Sequence, residues 1–274
     1  MPYFKTSDGL SLYYDDQGEG LALLCLSGLT RDSRDFDYML PHLAGCRVIR
    51  LDYRGRGKSE FAEDPLTYNV PREALDVVEL MAHLGLERAA VLGTSRGGLV
   101  AMALAMGVPD KLIGVAFNDI GPVIAPEGLE VIMGYLGLPP RWKTYDEAAA
   151  ARPAVMKGFA NVPDSRWRAE VEKFFDQTED GLALTYDPRL RDAVIAAGAQ
   201  PVPDLWPMFD ALAGKPMAII RGANSDLLST ETLAEMQARR PDAHVAVVPD
   251  RGHVPFLDEP EALAALGAWL KDMQ

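Results

Sequence analysis

At 274 residues, with 48% hydrophobic and 24% charged side chains, the chain is long enough for one large domain or a core with an insertion. A formal charge of −13 argues against nucleic acid or an anionic membrane as partner, because both attract basic surfaces. No basic start, apolar stretch and cleavage site opens the chain, and no apolar run is long enough to span a bilayer. A soluble, cytoplasmic protein is therefore expected. Cys25 and Cys46 each fall in an apolar run and read as small buried thiols.

Residues 1–19 hold two short alternating runs, Tyr3-Phe4-Lys5-Thr6 and Leu10-Ser11-Leu12-Tyr13-Tyr14. Asp8-Gly9 between them signals a hairpin. Leu21–Leu26 is apolar throughout, as a strand buried on both faces would be, and ends at Ser27-Gly28-Leu29-Thr30. A helix is expected near Phe36–Leu43 and a strand at Val48–Asp52. Asp52-Tyr53-Arg54-Gly55-Arg56-Gly57-Lys58-Ser59 follows, a glycine-punctuated loop without the spacing of a phosphate-binding loop. Pro71–Leu84 is amphipathic, with Pro71 suited to a first turn and Gly85 to a stop.

The stretch Ala89–Val100 then reads strand, tight turn, helix, with Gly93-Thr94-Ser95-Arg96-Gly97 at the turn. The glycines leave room where strand and helix nearly touch, and Ser95 is pushed outward as a nucleophile elbow requires. Leu112–Phe117 is a further strand. This alternation predicts a mainly parallel sheet with helices on both faces.

After Asn118-Asp119-Ile120-Gly121-Pro122 the rhythm breaks. Helical patterns are clearest at Glu127–Leu136, Tyr145–Phe159 and Asp164–Phe175, in a stretch rich in aromatic residues. The expected division is a core at 1–122 and 206–274 with a helical cap inserted at 123–205. The sheet pattern resumes at Pro216–Ile220, followed by Arg221-Gly222-Ala223-Asn224-Ser225-Asp226 and a helix near Thr230–Arg240. Val245–Val248 is the last strand. Pro249-Asp250-Arg251-Gly252-His253 and a helix at Pro260–Met273 close the chain.

A serine hydroxyl needs a base to take its proton, and the base needs a group that fixes its tautomer. Of four histidines, only His253 follows a strand's carboxyl end in a short loop, where functional groups gather in open α/β sheets. Asp226 and Asp119 both lie at carboxyl-end loops and both suit the order serine, acid, histidine. Asp226 is favoured from its Gly-Ala-Asn-Ser-Asp loop. Asp119 is the alternative acid, otherwise placed to shape the turn into the insertion. Acyl transfer also needs donors for the oxyanion, expected from the backbone N–H of Arg96 and of Leu29. The Arg96 side chain is expected in a structural ion pair.

These residues together resemble the α/β-hydrolase fold superfamily over nearly the whole chain, in its form with a helical cap. Gly93-Thr94-Ser95-Arg96-Gly97-Gly98 is similar to its elbow, and Asp226 and His253 match its acid and base positions. Asp52–Ser59 is similar to its structural D-x-R-G-x-G-x-S loop. The resemblance implies a mostly parallel eight-stranded sheet with an inserted helical cap. It also implies a serine carboxylesterase acting on small to medium esters through an acyl-enzyme, without cofactor or metal. One departure is Ser27-Gly28, where the family often carries His-Gly before the oxyanion loop. Serine at the elbow disfavours the dehalogenase and epoxide hydrolase branches, which use aspartate. The same triad also serves lactonases and C–C bond hydrolases of ring-cleavage products. Their carboxylate-bearing substrates would call for a basic pocket residue such as Arg96, Arg141 or Arg166. A ligand-binding protein of this fold is a third reading. The expected partner is a small-molecule ester, with monomer and homodimer both open.

Overall fold

The computed structural model describes residues 2–201 and 203–274. The chain begins with β1 (Tyr3–Lys5) and β2 (Ser11–Gln17), an antiparallel pair in which Tyr3 faces Tyr13. β3 (Leu21–Leu26), β4 (Cys46–Leu51), β5 (Ala89–Thr94) and β6 (Leu112–Asn118) follow. α1 (Val70–His83) precedes β5, and α2 (Arg96–Gly107) follows it. β9 (Met217–Gly222) and β10 (His244–Val248), separated by α8 (Thr230–Arg239), complete an eight-stranded sheet. Its order is β1-β2-β4-β3-β5-β6-β9-β10, parallel from β4 onward. α9 (Pro260–Lys271) closes the chain.

Strand period decides what each face buries. Leu24, Leu26, Val91, Val115 and Ile219 pack on one side with α1, α2 and α8. Leu23, Cys25, Leu92, Ala116 and Ile220 pack on the other with α9. Both cysteines are buried and free. The segment expected as a helix at Phe36–Leu43 is two single 3₁₀ turns, Ser33–Phe36 and Leu40–His42. Pro41 lies in the second turn, and a Pro in an α-helix interior breaks it.

Between β6 and β9 lie α3 (Pro126–Met133), α4 (Tyr145–Val155) and α5 (Asp164–Phe174). After them come an antiparallel pair, β7 (Phe175–Thr178) and β8 (Gly181–Leu184), then α6 (Leu190–Gly198) and α7 (Trp206–Asp210). The hairpin was not expected from a stretch read as mostly helical. Phe174-Phe175 ends α5 by passing directly into extended backbone, and Gly181, at φ 128, opens the return strand. The stretch leans on loops at the carboxyl ends of the sheet strands. Ala160 N–H donates to the Asp250 carbonyl, Asp187 N–H to that of Gly55, and Arg166 pairs with Asp258 at 2.5 Å. Among the described residues no helix is long and apolar enough to cross a membrane.

Candidate active site

The turn between β5 and α2 sets the first group. Gly93, the last residue but one of β5, faces the start of α2 so closely that a Cβ there would lie 2.5 Å from the Gly97 carbonyl. A Cβ on Gly97 would lie 2.0 Å from the Leu26 carbonyl of β3. With both positions reduced to hydrogen, the helix starts hard against two strands. Ser95 between them is held at φ 50 and ψ −115, a conformation that costs free energy in any L residue. Its hydroxyl is thereby lifted off the sheet toward the loops above.

His253 meets it. Its Nδ1–H donates to Asp119 Oδ2 at 2.7 Å, and a carboxylate can only accept. Nε2 is then an acceptor, and the Ser95 hydroxyl donates to it at 2.9 Å. An imidazole fixed in this tautomer can take the serine proton and hold the positive charge beside a carboxylate. Asn118 ties the three loops together. Its Nδ2–H groups reach Thr94 Oγ1 and the Pro255 carbonyl, while its backbone carbonyl accepts from Ser95 N–H.

The acid on the imidazole is therefore Asp119 and not Asp226, which corrects the choice favoured from sequence. The reason is strand order. β6 lies directly beside β5, whereas β9 is one strand further away. Asp119 follows the last residue of β6 at φ 57, which turns its fully buried side chain back over the sheet. Its Oδ1 accepts from Gly222 N–H at 2.8 Å and its Oδ2 from the Ser225 hydroxyl at 2.6 Å. The β9 loop thus contributes a brace rather than the acid. Arg221, buried in β9, donates to the carbonyls of Ala223, Ser225 and Leu228 and curls that loop. Asp226 is left half-buried and without a hydrogen bond among the described residues. An aspartate on the residue directly after a strand next to the elbow strand is the signal that would have decided for Asp119.

One expected oxyanion donor adjoins Ser95 in sequence, and the other follows Gly28, where a Cβ would lie 3.8 Å from Ser95 Cβ. Arg96 is the first residue of α2, and Leu29 lies in the loop after β3. Among the described residues neither N–H donates to a backbone or side-chain acceptor. Ser27, in place of the family's common histidine, closes this loop by donating its hydroxyl to the Arg31 carbonyl at 3.1 Å.

Support for both positions comes from a buried group that sequence reasoning missed. Arg56 Nε donates to the Leu29 carbonyl at 2.9 Å, and Arg56 Nη2 lies 2.8 Å from Glu73 Oε1. The other Glu73 oxygen accepts from Arg96 Nε at 2.7 Å, the ion pair expected for that side chain. Burial raises the Glu73 carboxyl pKa, but Arg96 and Arg56 overcome that and hold it below the ordinary value. Arg54, two residues before Arg56, pairs with the buried Asp76. Asp52 accepts from Ser33 and Lys58 N–H groups, so the Asp52–Ser59 loop is spent on structure. Of the basic residues considered for a substrate carboxylate, Arg96 and Arg166 are paired with acids, and Arg141 is exposed. Among the described residues no three His, Cys, Asp or Glu side chains converge as metal donors.

Comparison with known proteins bears on this geometry. A model described as "Alpha/beta hydrolase family" matches residues 23–266. A 3-hydroxybutyrate-oligomer hydrolase from Cupriavidus necator is 40% identical over 262 residues, covering 92% of this chain and 88% of that protein. A crystal structure of an alpha/beta hydrolase from Novosphingobium aromaticivorans superposes with a TM-score of 0.91 at 38% identity, covering 98% of this chain and 96% of that one. A 2-(acetamidomethylene)succinate hydrolase from Mesorhizobium japonicum is 27% identical over 246 residues, covering 89% of this chain and 85% of that protein.

Proposed function

The chain belongs to the alpha/beta hydrolase family, and on that premise we propose that it is a serine hydrolase of carboxylic esters. The observation that carries this reading is the Ser95–His253–Asp119 relay, with spacings of 2.9 and 2.7 Å. Ser95 Oγ attacks the ester carbonyl as His253 Nε2 takes its proton. The backbone N–H groups of Leu29 and Arg96 receive the oxyanion. The tetrahedral intermediate collapses, His253 returns the proton to the departing alcohol, and Ser95 is left acylated. Water, deprotonated by the same imidazole, then releases the acid. In this reading the 123–205 stretch roofs the cleft and limits the size of the ester.

The substrate to try first follows from the relative in Cupriavidus necator, a hydrolase of 3-hydroxybutyrate oligomers. The linear dimer of 3-hydroxybutyrate is a small ester of a secondary alcohol and suits this chemistry. A second reading, hydrolysis of a succinate derivative, is favoured by the Mesorhizobium relative alone.

Ser95→Ala is expected to lower kcat for 4-nitrophenyl butyrate by at least about 10⁴-fold, and a fluorophosphonate should label wild-type protein at Ser95. Near-normal turnover by the variant would overturn the assignment. An unlabelled Ser95 with no ester turnover would instead leave a binding protein of this fold.

A further inference from the structure

Arg152, on α4, is a buried cation in no ion pair among the described residues, its nearest acid, Glu170, being paired with Arg31. It is 7% exposed, and its Nη1 approaches only the Met156 sulfur, at 3.5 Å. Its Nε and Nη2 have no hydrogen-bond partner among the described residues. Those two nitrogens form the edge that grips a carboxylate side-on. Arg47 uses them on Asp16, Arg50 on Asp15, Arg54 on Asp76 and Arg240 on Asp242. Buried donors without an acceptor cost folding free energy, and a carboxylate is the acceptor that fits this fork.

The surroundings connect that edge to Ser95. The Arg152 guanidinium lies over the Phe174 ring at 4.3 Å, and the Arg31 guanidinium lies over the same ring at 3.6 Å. Arg31 belongs to the loop after β3. A Cβ built on Gly28 would lie 3.3 Å from Arg31 Cγ and 3.8 Å from Ser95 Cβ. Ser95, Gly28, Arg31, Phe174 and Arg152 therefore follow one another side by side. Tyr135 stands near both arginines. It is 46% exposed, yet burial, with Tyr186 beside it, raises its hydroxyl pKa to about 12 against the pull of Arg31 and Arg152. Arg31 is already matched by Asp35 and Glu170. Burial and the nearby Arg31 lower the Arg152 pKa to about 10, which leaves it charged at neutral pH.

We propose that the Nε/Nη2 edge of Arg152 is a subsite for a free carboxylate on the substrate, so that the cleft selects anionic esters. This rests on the serine-hydrolase reading above. It names the chemical class that the reading leaves open.

The experiment compares the linear dimer named above, as its free acid, with the same dimer carrying a primary amide in place of the terminal carboxylate. Monomer release is followed by chromatography. Wild-type protein is expected to favour the acid about 100-fold in kcat/KM. Arg152→Met should erase that preference. Arg152→Lys, which keeps the charge but not the fork, should recover only part of it. Equal turnover of acid and amide by wild type, a readout that needs no folded variant, overturns the subsite. So does an equal loss on both dimers in a folded Arg152→Met protein. In each of these cases the serine-hydrolase reading still stands. No turnover of any ester, with Ser95 unlabelled, overturns that reading instead.

Discussion

Asp119 accepts from the His253 imidazole and Asp226 does not, and that difference is measurable. Asp119→Asn keeps the volume but offers His253 an amide, which destabilises the required tautomer. A fall in kcat of roughly 10³ to 10⁴-fold is expected, with KM little changed. Asp226→Asn should cost less than about tenfold, since its side chain bonds to nothing among the described residues. Stopped-flow or plate kinetics on one neutral ester separates the two, and a reversed order would return the acid to position 226. Ser95 and His253 were legible in the sequence because each sits in a local pattern: a glycine-flanked turn, and a loop after a strand. The acid was not, because both aspartates satisfy the same local rule. Only the lateral order of strands, a long-range property, chooses between them.

The elbow shows what was legible at the level of elements. Gly93 and Gly97 announced a close approach of strand and helix, which Gly93 makes against Gly97, but not the second strand that Gly97 itself meets. The neighbour of Gly97 is the Leu26 carbonyl of β3, a contact made by the strand on the far side of β5. Gly97→Ala should therefore be harsher than a helix propensity scale suggests, which would favour alanine. Its methyl meets backbone, so α2 must shift, at a cost of about 3 kcal/mol or more. A lower midpoint in urea, together with lost activity, is the expected result. An unchanged midpoint would mean that α2 slides freely. The long helices and the apolar strands were read to within a few residues, since period and caps mark them. The 3₁₀ turns at Ser33–His42 and the β7–β8 hairpin were not, because short segments owe their form to neighbours rather than to their own pattern.

Glu73 acts at the scale of the whole molecule. From α1 it joins Arg56, which grips the loop carrying Leu29, to Arg96 at the start of α2. Glu73→Gln leaves the buried Arg56 and the part-buried Arg96 guanidiniums short of a charge and should destabilise the protein by about 3–5 kcal/mol. The folded protein holds this carboxyl below its unfolded pKa. Its stabilisation is thus complete above the unfolded value, near 4.3, and fades as pH falls through the folded value. The variant should show a flatter acid limb when unfolding free energy is plotted against pH. Parallel limbs would show that Glu73 titrates alike in both states. No sequence pattern exposes this link, whose three members lie on separate elements joined only by folding.

The turn that bears Asp119 also launches the excursion away from the sheet: the next described element, α3, begins only seven residues on. Whoever transplants that excursion between relatives must cut beyond Pro122. A graft joined at 119 would swap the carboxylate together with the inserted stretch, and a change in chemistry would then be mistaken for a change in taste.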